Sequence, residues 1–288
     1  MKQYKQLIIE VFLSMKINKN IGLALGVALL ATGVNTAFAA CSDVKYKELT
    51  AALTTVAALK TTGGYSLPMW ATIVDESGKI CSVATSGKSG AMAGNSEWLG
   101  SRVISAQKAF TANAFSLDGY AISTANLYAA VQPGGSLFGL QHSNPVDAAI
   151  AYAGSPSAYG TANDPLVGKR IGGVNVFGGG LALYKSGKKV GAIGVSGDTS
   201  CRDHAFAWNL RSTLGLLPTP NSTTKVAAGI TTVNMDASGT AQTPLANATY
   251  GDELIISGGN GYWNAWAQPA CPNSSTAITK SNGTLQAQ

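Results

Sequence analysis

The side chains of this chain that are able to do acid–base, anion-binding or metal chemistry are few. There are two histidines, His142 and His204, too few for a three-histidine metal cage and too far apart in sequence to read as a local ligand pair. A lone histidine is more often a hydrogen-bonded structural residue. His204 has the more suggestive setting, because it falls in the first turn of an expected helix, where the helix dipole disfavours imidazolium and leaves a neutral ring able to ligate a metal. Asp203 beside it suits the same helix start. Lys108 and Thr111 lie on one face of another expected helix and offer a cation and a hydroxyl to an anion, although a surface pair is the commoner reading. The more familiar motifs fail on inspection. In Gly194-Val195-Ser196-Gly197-Asp198 an aspartate stands where a nucleophile elbow needs its second glycine. Gly87-Lys88-Ser89 ends like a phosphate loop, but Ser82 replaces the leading glycine. Gly178-Gly179-Gly180 lacks dinucleotide spacing and reads as close backbone packing within a sheet.

The elements that must position these residues follow an apparent export signal. Lys16 and Lys19 precede an apolar stretch from Ile21 to Ala31, and Ala37-Phe38-Ala39 supplies small cleavage-site residues, so residues 1–39 are expected to be removed before Ala40. Cys41, just beyond, also permits a lipoprotein reading, although Phe38 stands where a Leu-like residue is expected. The signal's four lysines and one glutamate account for half of the formal net charge of +6. With 12% charged residues, against about 25% usually, and no later Lys/Arg run, nucleic acid is excluded as a partner. No later apolar run approaches a membrane span. All four cysteines, Cys41, Cys81, Cys201 and Cys271, follow the signal, where an oxidising compartment favours disulfides. Four cysteines permit three connectivities, which spacing alone does not resolve. We expect the sequential pairing, because it ties the opening helix to the second strand and clamps the polar C-terminal region.

Apolar spacing predicts a first helix capped by Ser42 or Asp43, carrying Leu49, Leu53, Val56 and Leu59 and ended by Gly63-Gly64. Met69–Val74 and Lys79–Ala84 form an expected hairpin, and a helix is expected over Glu97–Phe115 with Lys108 and Thr111 on one face. A shorter helix is predicted over Ser123–Val131. It is followed by a long loop from Pro133 to Lys169, in which Leu137, Phe138, Leu140, Val146 and Ile150 are expected to be buried. Strands are expected over Gly173–Tyr184 and Lys189–Val195, then a helix over Ser200–Leu214 capped by Asp198, Thr199 or Ser200. After Pro218 the composition turns to Thr, Asn, Ala, Gly and Ser, with a strand candidate at Glu253–Ile256 and an aromatic group, Tyr262, Trp263 and Trp266. The expected organisation is therefore a signal (1–39), a domain (40–217) and an appended C-terminal wrap (218–288) with a mobile tail from 272.

The order helix, hairpin, helix, hairpin, helix places an antiparallel sheet between helices. Three stretches then resemble the GlcG/HbpS-like haem-binding family: Gln107-Lys108-Ala109-Phe110-Thr111-Ala112, the run 172–183 (GGVNVFGGGLAL) and the run 190–203 (VGAIGVSGDTSCRD). The segment 123–147 and the surroundings of Cys201 and Cys271 look like an exported, longer branch of that family, so the likeness covers roughly residues 44–271. It implies an α/β (α+β), profilin-like fold and haem as cofactor. It also implies that Lys108, Thr111 and Asp203 lie at the ligand site. The branch usually carries Gly-His-Pro before its final cysteine; here Ala267-Gln268-Pro269 stands there, which excludes a histidine ligand at that point.

The leading expectation is an exported, periplasmic or secreted haem- or tetrapyrrole-binding carrier, scavenger or sensor subunit. Its iron is expected on His204, with His142 as runner-up and Lys108 as the partner of a propionate. Two other classes stay open. One is an enzyme acting on a small organic acid, with Lys108, Asp203 and His204 as acid–base and anion-binding groups. The other is a non-catalytic periplasmic protein whose long loop forms a homo-oligomer interface.

Overall fold

Strand β1 (Trp70–Asp75) is buried along its whole length, because helices cover both faces of the sheet to which it belongs. The computed structural model describes residues 40–59, 64–93, 98–219, 228–229, 234–235, 241–242, 250–255, 267–269 and 271–272. The expected signal, the tail beyond Pro272 and the aromatic group at 262–266 lie outside them. The helices are α1 (Ala40–Asp43), α2 (Tyr46–Ala57), α3 (Gly100–Phe115), α4 (Ala148–Ala151) and α5 (Ser200–Thr213). The main sheet combines β1 with β2 (Ile80–Thr85), β4 (Gly180–Lys185) and β5 (Lys188–Ser196) in the order β2-β1-β5-β4, every pairing antiparallel. The short β3 (Tyr120–Ala121) pairs with residues 228–229 instead. This is the expected α+β, profilin-like arrangement, with segments from beyond residue 218 laid against it.

The two-residue period of the strands sorts the core. Ala71, Ile73, Leu181, Leu183, Ile193 and Val195 face α2 and α5, where they meet Leu49, Leu53, Val56, Phe206 and Leu210. Trp70, Val74 and Ala192 turn the other way, toward Val103, Ala106, Ala109 and Ala112 of α3. That helix can lie so close because its inner residues are small and because Gly194 offers no side chain. A β-carbon there would land on the Ser105 carbonyl oxygen and the Ala109 nitrogen. Tight turns close both hairpins: the Asp75 carboxylate accepts from the backbone of Ser77 and Lys79, each at 2.9 Å, and Gly187 takes a positive φ after Ser186.

Several expectations change in the fold. Neither Ser42 nor Asp43 caps the first long helix; both lie in α1, and α2 begins after Lys45 with no side-chain cap. Residues 124–131 form two 3-10 turns (Thr124–Leu127 and Ala129–Val131) rather than a helix. A reciprocal Ser123–Asn126 capping box closes the first turn into a tighter geometry. The strand expected from Gly173 begins only at Gly180, because residues 173–179 run irregularly against α3 and α5. The described part of the Glu253–Ile256 candidate is not a strand, although the Ile255 carbonyl accepts from Gln268 N–H at 2.9 Å. In the long loop, Leu140, Val146 and Ile150 pack against the core, but Leu137 and Phe138, on the same run of turns as Leu140, are 38% and 60% exposed. The large buried apolar anchors are Tyr159 and Leu166 within the loop and Ile171 just beyond it. Arg102 of α3 fastens the loop by a two-pronged pair with Asp164 (2.5 and 2.9 Å), with its guanidinium over the Tyr159 ring. The four cysteines are bonded Cys41–Cys81 and Cys201–Cys271.

Because backbone rather than a flexible side chain occupies the space at Gly194, Gly194→Ala should cost at least about 3 kcal/mol. Urea unfolding monitored by circular dichroism checks this, and an unchanged midpoint would contradict the close approach of α3.

Candidate functional site

Lys108 and Asp203 start on opposite sides of the sheet, one on α3 and the other in the first turn of α5, yet they meet at 2.7 Å. They meet past the sheet's end, where β5 finishes and β4 has not begun. The Lys108 ammonium also donates to the Val195 carbonyl at 3.0 Å and lies 4.9 Å from the centre of the Phe177 ring. The Asp203 carboxylate accepts from Asp198 N–H at 3.0 Å with its other oxygen. The three glycines 178–180 carry the chain over this pair. A β-carbon at Gly179, whose φ is +121°, would press on the Val195 carbonyl and stand 3.0 Å from Lys108 Nζ. At Gly178 it would meet the Ser200 carbonyl and, at 2.9 Å, the His204 β-carbon. Burial pushes the Asp203 carboxyl up to about 6 and the Lys108 ammonium down, each against the pull of its partner.

The lysine and threonine are therefore not a surface pair. Thr111 is buried, its hydroxyl donating to the Gln107 carbonyl at 2.8 Å and accepting from Asn175 N–H at 3.0 Å, which ties the irregular stretch before Gly178 to α3. His204 is fully buried, and neither ring nitrogen has a hydrogen-bond partner among the described residues. Burial, with Arg211 and Lys108 as nearby cations, lowers its pKa to about 3, so the ring is neutral at ordinary pH. Its ring centre is 5.9 Å from that of Trp208. His142 is exposed in a turn of the long loop. Among the described residues no three His, Cys, Asp or Glu side chains are grouped to hold a metal ion.

Next to this centre is an open cavity of about 400 Å³, lined by Tyr128, Phe177, Thr199, Ser200, Gln268, Pro269, Cys271 and Pro272. Phe177 joins the two features, since it lines the cavity and also carries the Lys108 ammonium. Thr199 is the N-cap of α5, accepting from Arg202 N–H, so the cavity opens at the positive end of that helix. The Gln268 amide donates to the Ser200 hydroxyl at 3.1 Å and to Cys201 Sγ at 3.3 Å, knitting the C-terminal segment to α5 beside the disulfide. Of the residues singled out in the sequence, the structure brings Lys108, Asp203 and His204 together in the packing near the cavity, and only Cys271 lines it. Tyr128, Phe177, Ser200 and Gln268 were not singled out as site residues. The one pointer to them was the position of Gln268, where the longer branch carries its histidine.

A four-stranded antiparallel sheet between helices, with a recess where the last helix starts, defines an α+β protein of profilin-like design. Residues 47–210, more than half the chain, match the family described as haem degrading protein HbpS-like, and the chain belongs to that family. Among solved structures it is similar to the Klebsiella pneumoniae protein ORFY, at 22% identity over 59% of this chain and 88% of that one, with a TM-score of 0.38. It is also similar to a PduOC–haem complex, at 25% identity over 58% of this chain and 89% of that one, with a TM-score of 0.39. Among curated proteins none matches the chain.

Removing one member of a buried ion pair strands the other, at about 3–5 kcal/mol, whereas replacing both with apolar groups is close to neutral. Lys108→Met should therefore be strongly destabilised and Lys108→Met/Asp203→Leu largely restored, as read from a double-mutant cycle in urea. A stranded Asp203 has a pKa raised still further above its unfolded value. The stability of Lys108→Met should thus be best retained at low pH and lost as pH rises through that raised value. For His204 the sign is reversed. A base whose folded pKa lies below its unfolded value contributes stability above about pH 6.5 and loses it as pH falls toward about 3. His204→Leu should flatten that acid limb by up to about 1.4 kcal/mol per pH unit relative to the parent, and identical acid limbs would contradict the buried neutral ring.

Proposed function

We propose that this is an exported haem- or tetrapyrrole-binding protein that serves as a carrier, scavenger or sensor subunit, and that the cavity at the start of α5 is its binding site. The observation that carries the reading is an open, largely apolar cavity with two aromatic walls, in a chain that belongs to the HbpS-like family. The residues present fit the group. Tyr128, Phe177, Pro269 and Pro272 offer ring and proline faces to a flat apolar macrocycle. The Ser200 hydroxyl and the N-terminus of α5 suit its carboxylates. When bound, haem would supply a redox-active, Lewis-acidic iron.

The chain's own residues divide the work. Lys108 does not reach out to a propionate, because its ammonium is spent on Asp203, Val195 and the Phe177 ring. It acts as a positioning residue: with Asp203 it sets the angle at which α5 meets the cavity and holds Phe177 in the wall. Thr111 does the same for the stretch leading to Phe177. Two disulfides and the signal-like residues 1–39 support an extracytoplasmic location, and among the described residues no helix is long and apolar enough to cross a membrane.

Titrating the purified chain with hemin should give a saturable shift of the Soret band at one equivalent per chain. Phe177→Ala should weaken binding about tenfold, equivalent to about 1.4 kcal/mol. A hemin spectrum that stays that of the free compound would refute the reading.

A further inference from the structure

We infer that Tyr128 is the residue that ligates the iron of haem held in this cavity, in place of either histidine; the inference rests on the haem-binding reading above. Haem iron is held by imidazole, thiolate, thioether or phenolate side chains, occasionally by an amine. Of the eight residues lining the cavity, two bear such a donor, Tyr128 and Cys271. The Cys271 sulfur is bonded to Cys201. That leaves Tyr128. Among the described residues, the lysine and the two histidines singled out in the sequence are committed, buried or remote. Lys108 would have to abandon a buried carboxylate at 2.7 Å. His204 is fully buried behind the backbone at Gly178, and His142 is exposed in a turn away from the lining.

The backbone at Tyr128 is also held firmly. It stands between two 3-10 turns, and its backbone carbonyl accepts from the Gln132 side chain at 3.0 Å. The turn before it is closed by the Ser123–Asn126 box, and Asn126 Nδ2 donates to the Glu253 carbonyl at 3.1 Å. The Thr124 hydroxyl donates to the Phe177 carbonyl at 2.7 Å and accepts from Gly180 N–H at 2.9 Å. One hydroxyl thus ties the turn before Tyr128 both to Phe177 and to the start of β4. The backbone that carries Tyr128 is thereby fixed relative to Phe177, the preorganisation that an iron ligand would need. The ligation step is a simple exchange. The phenol O–H gives its proton to water in the open cavity, the oxygen forms one bond to ferric iron, and an iron-bound water or hydroxide leaves. A phenolate is a hard, anionic donor, so the site favours ferric over ferrous iron.

The test compares hemin with metal-free protoporphyrin IX on the full chain and on Tyr128→Phe, with His204→Leu and His142→Ala alongside. Tyr128→Phe should lose about tenfold or more in hemin affinity, with a displaced Soret band and loss of phenolate-to-iron charge transfer. Its affinity for metal-free protoporphyrin should be unchanged, because ring contacts remain. Circular dichroism and melting controls confirm that each variant folds. Equal effects on both porphyrins, or no effect on either, would reduce Tyr128 to a packing residue and overturn the inference. A spectral change confined to His204→Leu or His142→Ala would overturn it in favour of that histidine. A parent chain that binds metal-free porphyrin but gains nothing from iron overturns the ligation alone, whereas one that binds neither porphyrin overturns the binding reading as well.

Discussion

The contact between Lys108 and Asp203 is the constraint on which the site depends. Two charges from opposite layers can meet only where the sheet has ended, and only if the chain crossing that gap carries no side chains, a role met by Gly178, Gly179 and Gly180. The pair brings little net stability, since both groups give up water. What it supplies is position. It sets α5 against β5, places Thr199 and Ser200 at the rim of the cavity and holds Phe177 in its wall.

Two further buried pairs follow the same logic in a chain with few charges. Arg102–Asp164 fastens the long loop to α3, and Arg211–Asp252, at 2.5 and 3.0 Å, fastens the segment 250–255 to α5 while Arg211 also donates to the Ala182 carbonyl. With the Cys201–Cys271 bridge, they hold pieces of chain that have little regular hydrogen bonding of their own. The wall of the cavity is therefore assembled from positions 128, 177, 199–200, 268–269 and 271–272, of which Phe177, Ser200, Gln268 and Cys271 are held by partners distant in sequence. Such a wall keeps its shape without belonging to any single element.

The same packing explains why α5 carries so many polar residues. Its hydrophobic face lies on the sheet through Phe206, Ala207 and Leu210, while Arg211 is buried against Asp252. Covered on both sides, it keeps Arg202, Asp203, His204, Asn209 and Arg211 out of water, and the His204 and Asn209 side chains have no hydrogen-bond partners among the described residues. Neutral His204 is the outcome expected of a buried imidazole near two cations.

Local pattern was enough to determine the elements with strong periodicity. The first hairpin, α3 and α5 stand within a few residues of where alternation, turn residues and helical spacing put them, the turn of the second hairpin falls where expected although its first strand starts seven residues late, and the family likeness in 107–112, 172–183 and 190–203 pointed to the fold. It read less well where tertiary contacts override local preference. The Ser123–Asn126 box turned an expected helix into 3-10 turns, and the crossing over Lys108 kept residues 173–179 from pairing as a strand. Leu137 and Phe138 stayed exposed, while Tyr159, Leu166 and Ile171 filled the core beside α3. Lys108, Asp203 and His204 were legible as unusual residues, but burial is a property of what packs over a side chain, and that cover comes from segments up to 95 residues away. Tyr128 and Phe177 had no signal in spacing at all. They became wall residues only when Thr124, the glycine run and the start of α5 brought distant parts of the chain around one space, which no one-dimensional pattern encodes.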